Sequence, residues 1–278
     1  MRDFLKKTVL TAAALACVYA ARPAEAKTGL VLIHGKGSAN LATVAESRAY
    51  WTEDMIRASS KNNAVPTLVC RYDGTQYMWV AAGQVAGQIT SWVSANAITE
   101  IVVDTHSFGG IVIRWILSNP TYDSRYQPII NKIRWVNSIA GPHKGSEAAN
   151  LAGTLSGSWL TGWLVDLVGQ NNDATKNCRT DNMSYYNTYY LKGTSGRPAL
   201  PKTVYTIDGT GLWNNFCTEC VGLATLSGIA GLPGEDDGAV AQYSARGVGT
   251  VWFSTDANHH WNRRNSYRTI GNSLGTDF

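Results

Sequence analysis

Short apolar runs alternate with longer stretches of helical periodicity along most of the chain. The runs are rich in β-branched residues and bounded by turn residues, as in strands that are buried on both faces. The stretches between them repeat apolar residues at helical spacing. The predicted strands are 30–33, 67–71, 101–105, 134–139, 203–207 and 250–254, and the predicted helices are 45–60, 83–95 and 108–117. This alternation predicts an α/β fold with a mostly parallel central sheet flanked by helices.

The alternation stops over about 145–201, where Gly, Asn, Tyr and Trp are frequent. Such an insertion in an α/β core is typical of a lid over a functional site, although an inert surface loop has the same composition. Apolar side chains at near-helical spacing fit either a face that closes on a ligand or ordinary core packing. They are Trp159, Leu160, Trp163, Leu164, Val165 and Leu167.

The first 26 residues have the pattern of an export signal. Basic residues at positions 2, 6 and 7 precede an apolar stretch over 8–21, and Ala24-Glu-Ala26 matches a signal-peptidase site. The apolar stretch is too short to span a bilayer. We therefore expect a cleaved signal over 1–26 and a periplasmic or extracellular protein with one domain over 27–278.

Charge and cysteine content narrow the class of protein further. The net charge is +4 and falls to about +2 without the first 26 residues, and no run of Lys or Arg predicts nucleic-acid binding. An even number of cysteines in an exported chain predicts two structural disulfides, with the pairing open. These cysteines are Cys70, Cys178, Cys217 and Cys220.

The predicted strand 101–105 leads through His106 into Ser107 and the predicted helix 108–117. Strand, serine and helix in this order form a nucleophile elbow, a sharp turn that needs small residues two positions from the serine. Gly109 meets this need, whereas Thr105 stands where glycine is usual. The pattern predicts Ser107 as a nucleophile.

A serine hydroxyl is a poor nucleophile at neutral pH and needs a histidine base oriented by an acid. In proteins with this elbow, the histidine follows the last strand. His259 is the preferred base because it comes directly after the end of that strand, and His260 is the alternative. We expect His106 to pack within the turn and His34 to brace a loop.

Several carboxylates lie between the serine and the histidine in the chain. Asp237, just before a glycine turn, is the preferred acid, and its neighbour Asp236 is a rival. Asp208, at the end of strand 203–207, is the third candidate. Any of them would fix the tautomer of the imidazole and stabilise its charged form.

An oxyanion that develops during acyl transfer is typically stabilised by two backbone N–H groups. One is expected from Phe108, at the first turn of a helix where the dipole adds positive potential. The other is expected from the loop that follows strand 30–33, with Lys36 as the candidate.

With these residues placed, the chain resembles the secreted bacterial lipases and esterases of the α/β-hydrolase superfamily, the Pseudomonas type in particular. The motifs that carry the resemblance are Leu30–Gly35, His106–Gly110, Ala140–Ser146 and Asp237–Val240. The resemblance implies an α/β-hydrolase fold with a lid. It also favours Asp237 as the triad acid and Lys36 as the residue of the oxyanion loop.

The chain departs from these relatives in two respects. Thr105 replaces the first small residue of the elbow, which shifts the backbone slightly without forbidding the turn. Many relatives bind calcium through aspartates near the catalytic histidine, but Asp256 and Asp277 do not form an obvious pair of ligands. We therefore predict no metal and no other cofactor.

Together these observations predict a serine hydrolase that cleaves carboxylic esters of lipid type, a triacylglycerol lipase or carboxylesterase, through an acyl-enzyme on Ser107. Its partners would be a lipid or small ester and, for a lipase, a lipid interface. The same triad also fits a polyester depolymerase or an amide or thioester hydrolase. A non-catalytic binding protein that keeps the fold is the alternative of another class. The sequence leaves acyl length and oligomeric state open.

Overall fold

The computed structural model describes residues 26–152, 171–211 and 218–259. A six-stranded sheet lies at its centre, with the strand order β2-β1-β3-β4-β5-β6. Every neighbouring pair of strands is parallel. The strands are β1 (Thr28–Ile33), β2 (Thr67–Val69), β3 (Glu100–His106), β4 (Ile133–Ile139), β5 (Thr203–Gly209) and β6 (Thr250–Thr255). All six predicted strands are present, and the predicted α/β fold is confirmed.

Helices connect the strands. They are α1 (Val44–Trp51), α2 (Glu53–Ser59), α3 (Met78–Ala95), α4 (Phe108–Ser118), α5 (Tyr126–Lys132), α6 (Glu147–Asn150), α7 (Asp173–Cys178), α8 (Thr180–Tyr189), α9 (Thr218–Ala230) and α10 (Gln242–Ala245), with a short 3-10 helix at Ala39–Ala42. Of the helices described, none combines the length and the apolar character needed to cross a bilayer.

The single helix predicted over 45–60 is wrong, because the chain forms two helices that meet at Thr52. This residue has a φ of +65°, which a continuing helix does not allow, and its side chain accepts a hydrogen bond from the amide of Met55 at 3.4 Å. Glu53 and Asp54 then occupy the first turn of α2, where acidic residues stabilise the helix dipole. A capping threonine therefore overrides the helical periodicity.

The apolar side chains of the central strands alternate between two faces of the sheet. Val31 and Val103 pack into a core with α3 and α4, while Leu32 and Val102 pack against Trp51 of α1 on the other face. Every residue of α4 is buried. Because α4 is held on all sides, its N-terminus and the adjoining Ser107 have a fixed position.

The predicted pair of disulfides is wrong for two of its four cysteines. Cys70 and Cys178 are both buried free thiols. Burial raises the pKa of the Cys178 thiol to about 12, so it stays protonated at neutral pH. Cys217 and the side chain of Cys220 lie outside the described residues, as do residues 1–25 of the predicted signal and the apolar positions 159–167 of the predicted lid.

Candidate active site

Ser107 lies at the sharp turn between β3 and α4. Its φ of +54° is a strained conformation for a side chain other than glycine, and its amide donates a hydrogen bond to the Ile139 carbonyl at 2.8 Å. A Cβ atom on Gly109 would come within 2.4 Å of the Ile33 carbonyl oxygen. The hydroxyl of Thr105, by contrast, donates to the Asn137 carbonyl at 3.1 Å, so its side chain fits where glycine is usual.

The structure brings Ser107, His259 and Asp237 into one chain of hydrogen bonds. His259 Nε2 lies 3.1 Å from Ser107 Oγ, and His259 Nδ1 lies 2.9 Å from Asp237 Oδ2. A carboxylate accepts hydrogen bonds, so Nδ1 carries the proton and Nε2 is left to accept the serine hydroxyl. This tautomer is the one that lets a histidine remove a proton from serine.

The loop after Asp237 orients its carboxylate. Asp237 Oδ1 accepts hydrogen bonds from the amides of Ala239 at 3.0 Å and Val240 at 2.8 Å, while Oδ2 accepts from His259. The backbone carbonyl of Asp237 also accepts from the amide of His259 at 2.8 Å. Three N–H donors therefore compensate the negative charge of a carboxylate that is almost fully buried.

The two other candidate acids are engaged elsewhere. Asp236 accepts hydrogen bonds from the Gly238 amide at 2.7 Å and the Ser227 hydroxyl at 2.9 Å. Asp208 forms an ion pair with Arg246 at 2.6 Å. Of the three aspartates, Asp237 is the one within hydrogen-bond distance of His259. His260, the alternative base, lies outside the described residues.

A cavity of about 20 Å³ opens beside the serine. Small or apolar side chains form most of its wall, together with the two polar residues of the Ser–His pair and Lys36. The lining residues are Lys36, Ser107, Pro142, Ser146, Ala148, Ala149, Thr175, Cys178, Ala239, Val240 and His259. Walls of this kind suit an apolar group attached to an atom that reacts with the serine.

Both predicted oxyanion residues lie next to Ser107. Phe108 is the first residue of α4, so its amide has no acceptor within the helix. Lys36 lies in the loop after β1, where a Cβ on the preceding Gly35 would come within 2.8 Å of Ser107 Cβ. Glycine therefore lets this loop approach the serine closely.

The loop after β1 is held by His34 and Tyr72. His34 Nδ1 donates to the Gly35 carbonyl at 2.8 Å, and its Nε2 accepts from the Tyr72 amide at 3.4 Å. The rings of His34 and Tyr72 stack with centroids 3.8 Å apart, and the Tyr72 hydroxyl donates to the His34 carbonyl. His34 is therefore placed to brace the loop, as expected from the sequence.

Sequence reasoning missed Tyr50 and gave His106 only a packing role in the turn. The hydroxyl of Tyr50 in α1 is hydrogen-bonded to His106 Nδ1, and His106 Nε2 lies 3.2 Å from the His259 carbonyl. No local pattern could have found Tyr50, since it lies 56 positions from His106. His106 is therefore hydrogen-bonded to two other segments of the chain as well as packed within the turn.

Metal ligands do not cluster in the part of the chain that the structure describes. There, no group of three or more His, Cys, Asp and Glu side chains could hold a metal ion.

Residues 26–185, more than half of the chain, match the family described as "Putative serine esterase (DUF676)". The chain belongs to this family. The protein is therefore a serine ester hydrolase, which confirms the class of enzyme expected from the sequence. The matched residues of the serine esterase family include Lys36, Ser107 and Phe108 but end before Asp237 and His259. No curated protein matches the chain significantly.

Solved structures of bacterial esterases and lipases share the fold. The mature lipase BlEst2 from Bacillus licheniformis is 22% identical over 91% of this chain and 94% of its own, with a TM-score of 0.68. The metagenomic carboxyl esterase MGS0156 is 18% identical over 93% and 80%, with a TM-score of 0.60. EstA from Clostridium botulinum is 14% identical over 88% and 87%, with a TM-score of 0.54. The sheet is thus that of an α/β-hydrolase, as the resemblance implied.

Proposed function

We propose that the protein hydrolyses carboxylic esters through a covalent acyl-enzyme on Ser107. The observation that carries this proposal is the unbroken set of hydrogen bonds from Asp237 through His259 to Ser107 Oγ, which ends at an apolar cavity. Without a base to take its proton during attack, a serine hydroxyl is a poor nucleophile at neutral pH.

In the first half of the reaction, Ser107 Oγ attacks the ester carbonyl carbon while His259 Nε2 takes the hydroxyl proton. Asp237 stabilises the imidazolium that forms. The amides of Phe108 and Lys36 are proposed to stabilise the oxyanion. His259 then gives its proton to the departing alcohol as the bond between the carbonyl carbon and the alcohol oxygen breaks. Water repeats the sequence on the acyl-enzyme, releasing the acid and restoring the serine.

The small volume of the cavity favours ester substrates with a short acyl group. Its volume of about 20 Å³ accommodates little more than one water molecule before side chains adjust. Esters with acyl chains of two to four carbons should therefore turn over faster than long-chain esters, although a triacylglycerol of short chains would still qualify as lipid.

The rate of tributyrin hydrolysis below and above its solubility limit distinguishes a carboxylesterase from a lipase. A smooth saturating curve supports a carboxylesterase, whereas a jump when droplets appear supports a lipase.

Export is proposed from the sequence of residues 1–26. To test export, the full chain is expressed in a bacterial host, and the mass of the protein in the periplasmic and extracellular fractions is measured. A product that begins at Lys27 supports cleavage of a signal, and recovery only of the complete chain from the cytoplasm contradicts it.

The reactive serine is identified by labelling with a fluorophosphonate, which forms a covalent bond with an activated serine. We expect one label per chain, located at Ser107 by peptide mapping, and hydrolysis of a butyrate ester by the unlabelled protein. A protein that takes up no label and hydrolyses no ester would instead be a binding protein with a hydrolase fold. Faster cleavage of the matched butyramide or thioester than of the butyrate ester would indicate an amide or thioester hydrolase that uses the same triad.

A further inference from the structure

We infer that His106 and Tyr50 position His259, holding its backbone so that its imidazole keeps the hydrogen bond to Ser107. This inference rests on the proposed function, because it assigns a purpose to the position of the base. Neither His106 nor Tyr50 is among the residues that line the cavity, and the contacts described here join them to His259 and not to the substrate space. They are therefore positioning residues, and their effect on the reaction passes through His259.

All four polar groups of His259 are hydrogen-bonded. Its amide donates to the Asp237 carbonyl at 2.8 Å, and its two ring nitrogens bind Asp237 and Ser107. Its carbonyl lies 3.2 Å from His106 Nε2. Asp237 therefore fixes the N-terminal side of the residue, and His106 fixes the C-terminal side. Loss of His106 would remove the hydrogen bond to the carbonyl of His259.

The hydrogen bonds also fix which nitrogen of His106 carries a proton. A carbonyl oxygen can only accept, so Nε2 must donate to the carbonyl of His259. In a neutral imidazole Nδ1 then carries no proton, so it accepts a hydrogen bond from the hydroxyl of Tyr50. The carbonyl of His259 thus selects the tautomer of His106, and Tyr50 supports the same tautomer by donating to Nδ1. The choice of tautomer is a specific, measurable consequence of this geometry.

Tyr50 connects the same contact to the loop after β1. A Cβ on Gly35 would come within 2.5 Å of the Tyr50 hydroxyl and 2.8 Å of Ser107 Cβ, so the phenol lies directly against this loop beside the serine. The rings of His106 and His259 also touch, with centroids 4.8 Å apart. Tyr50 and His106 therefore link the loop after β1, the elbow and the segment that carries the base.

The first test reads the tautomer of His106 without any use of activity. Ser107→Ala protein labelled with ¹⁵N-histidine should show His106 with its proton on Nε2, by the ¹⁵N shifts of the ring. Introducing Tyr50→Phe should allow the proton to redistribute toward Nδ1. A His106 ring with its proton on Nδ1 in the presence of Tyr50 would overturn the inference, whether or not the protein hydrolyses esters.

The second test separates hydrogen bonding from packing with three substitutions of His106. The amide nitrogen of glutamine reaches the place of Nε2, the amide oxygen of asparagine reaches the place of Nδ1, and phenylalanine keeps ring volume with neither. For ester hydrolysis we expect kcat to fall about tenfold to a hundredfold in His106→Asn and His106→Phe, with KM within about threefold, because a small displacement of a catalytic group costs rates of this size. His106→Gln keeps an N–H donor at the place of Nε2, so its kcat should stay close to that of the unmodified protein.

The pattern across the three variants decides the role of His106. Activity of His106→Phe equal to that of the unmodified protein, or equal losses in all three variants that follow their melting temperatures, would show that His106 only packs. Tyr50→Phe, a milder change, should lower kcat by a smaller factor of about threefold to tenfold. If the unmodified protein hydrolyses no ester, the proposed function fails while the tautomer measurement still decides the contact.

Discussion

Ser107 and Ser138 each share a hydrogen bond with Nε2 of a buried histidine. The distances are nearly equal, 3.1 Å from Ser107 Oγ to His259 and 2.9 Å from Ser138 Oγ to His143. The surroundings of the two pairs differ. His259 Nδ1 binds Asp237 and the pair lines a cavity, whereas His143 Nδ1 has no partner among the described residues and neither Ser138 nor His143 lines that cavity.

The charges around the two histidines differ as well. Burial, together with the positive charge of Arg114, holds the pKa of His143 well below its ordinary value, and Arg114 donates to the His143 carbonyl at 3.1 Å. A lowered pKa makes a histidine a weaker base toward a serine hydroxyl. The comparison teaches that a Ser–His hydrogen bond is not enough to make a nucleophile. An acid on the second nitrogen and a place for the substrate are also required.

Replacing each of the two serines with alanine is expected to give the largest difference in kcat between two variants. Ser107→Ala should lower kcat for ester hydrolysis by about 10⁴-fold or more, because the proposed acyl-enzyme forms on the Ser107 hydroxyl. Kinetic assays of folded protein with a butyrate ester measure this loss.

Ser138→Ala is the matched control. It should keep kcat within a few-fold but lower the free energy of unfolding by about 1–3 kcal/mol, since it leaves His143 Nε2 buried without its partner. Comparable loss of activity in both variants would contradict the assignment of the reaction to Ser107.

Removal of the Asp237 carboxylate should make the Ser107–His259 pair more like the Ser138–His143 pair. In Asp237→Asn the geometry can persist, but the favoured tautomer of His259 changes, and we expect kcat to fall by about 10⁴-fold. The same assay on Asp208→Asn, which loses the ion pair with Arg246, should show a change of less than tenfold. A larger loss in Asp208→Asn than in Asp237→Asn would transfer the role of acid to Asp208.

A second buried carboxyl extends the contrast between partnered and unpartnered groups. Asp237 accepts three N–H hydrogen bonds, whereas Asp104 accepts one, from the Asn137 side chain at 2.7 Å, and its Oδ2 has no partner within the described part of the chain. Burial raises the pKa of Asp104 to about 7, against a partial opposing effect of Asn137.

Asp104 should therefore lower stability at alkaline pH. Its raised pKa means that the folded state retains a proton the unfolded state has lost, so this stabilisation is complete at low pH and disappears as pH rises through about 7. Asp104→Asn is expected to increase the free energy of unfolding at pH 9 by up to about 4 kcal/mol and to change little at pH 4. Urea unfolding at the two pH values measures the difference, and destabilisation at pH 9 would contradict it.

His143 should give the opposite dependence on pH and the smallest effect. Its pKa is lowered in the folded state, so the unfolded state binds more protons and stability falls as pH drops below about 6.5. The range from pH 7 to pH 5 covers the protonation of this histidine in the unfolded state. In urea unfolding, His143→Gln should lose less stability over this range than the unmodified chain. Parallel pH profiles of the two proteins would contradict a neutral buried His143.

Local patterns predicted the parts of the site whose residues are neighbours in the chain. The strand, Ser107 and the helix after it are contiguous, and the turn that joins them restricts the residue at position 109 by direct steric contact. The glycine turn and the family resemblance indicated Asp237, and the end of the last predicted strand indicated His259. Their catalytic roles stay predictions, but the structure places both side chains where those roles require them.

Other features depended on contacts that no local pattern contains. One example is Thr52, whose capping side chain divides the predicted helix 45–60. Another is Cys178, which the even count of cysteines assigned to a disulfide but which lies buried as a free thiol in the cavity wall. Counting residues gives no distance between them, and a disulfide needs two thiols within bonding reach.

The sequence by itself determined the parallel sheet, the elbow and the order of the three triad candidates, because these follow from periodicity and from residues that are adjacent in the chain. The tertiary structure decided which carboxylate meets His259 and that Tyr50 meets His106. Those contacts join residues 22 and 56 positions apart. Their distances are set by how the helices pack on the sheet, and each strand alone is compatible with many such arrangements.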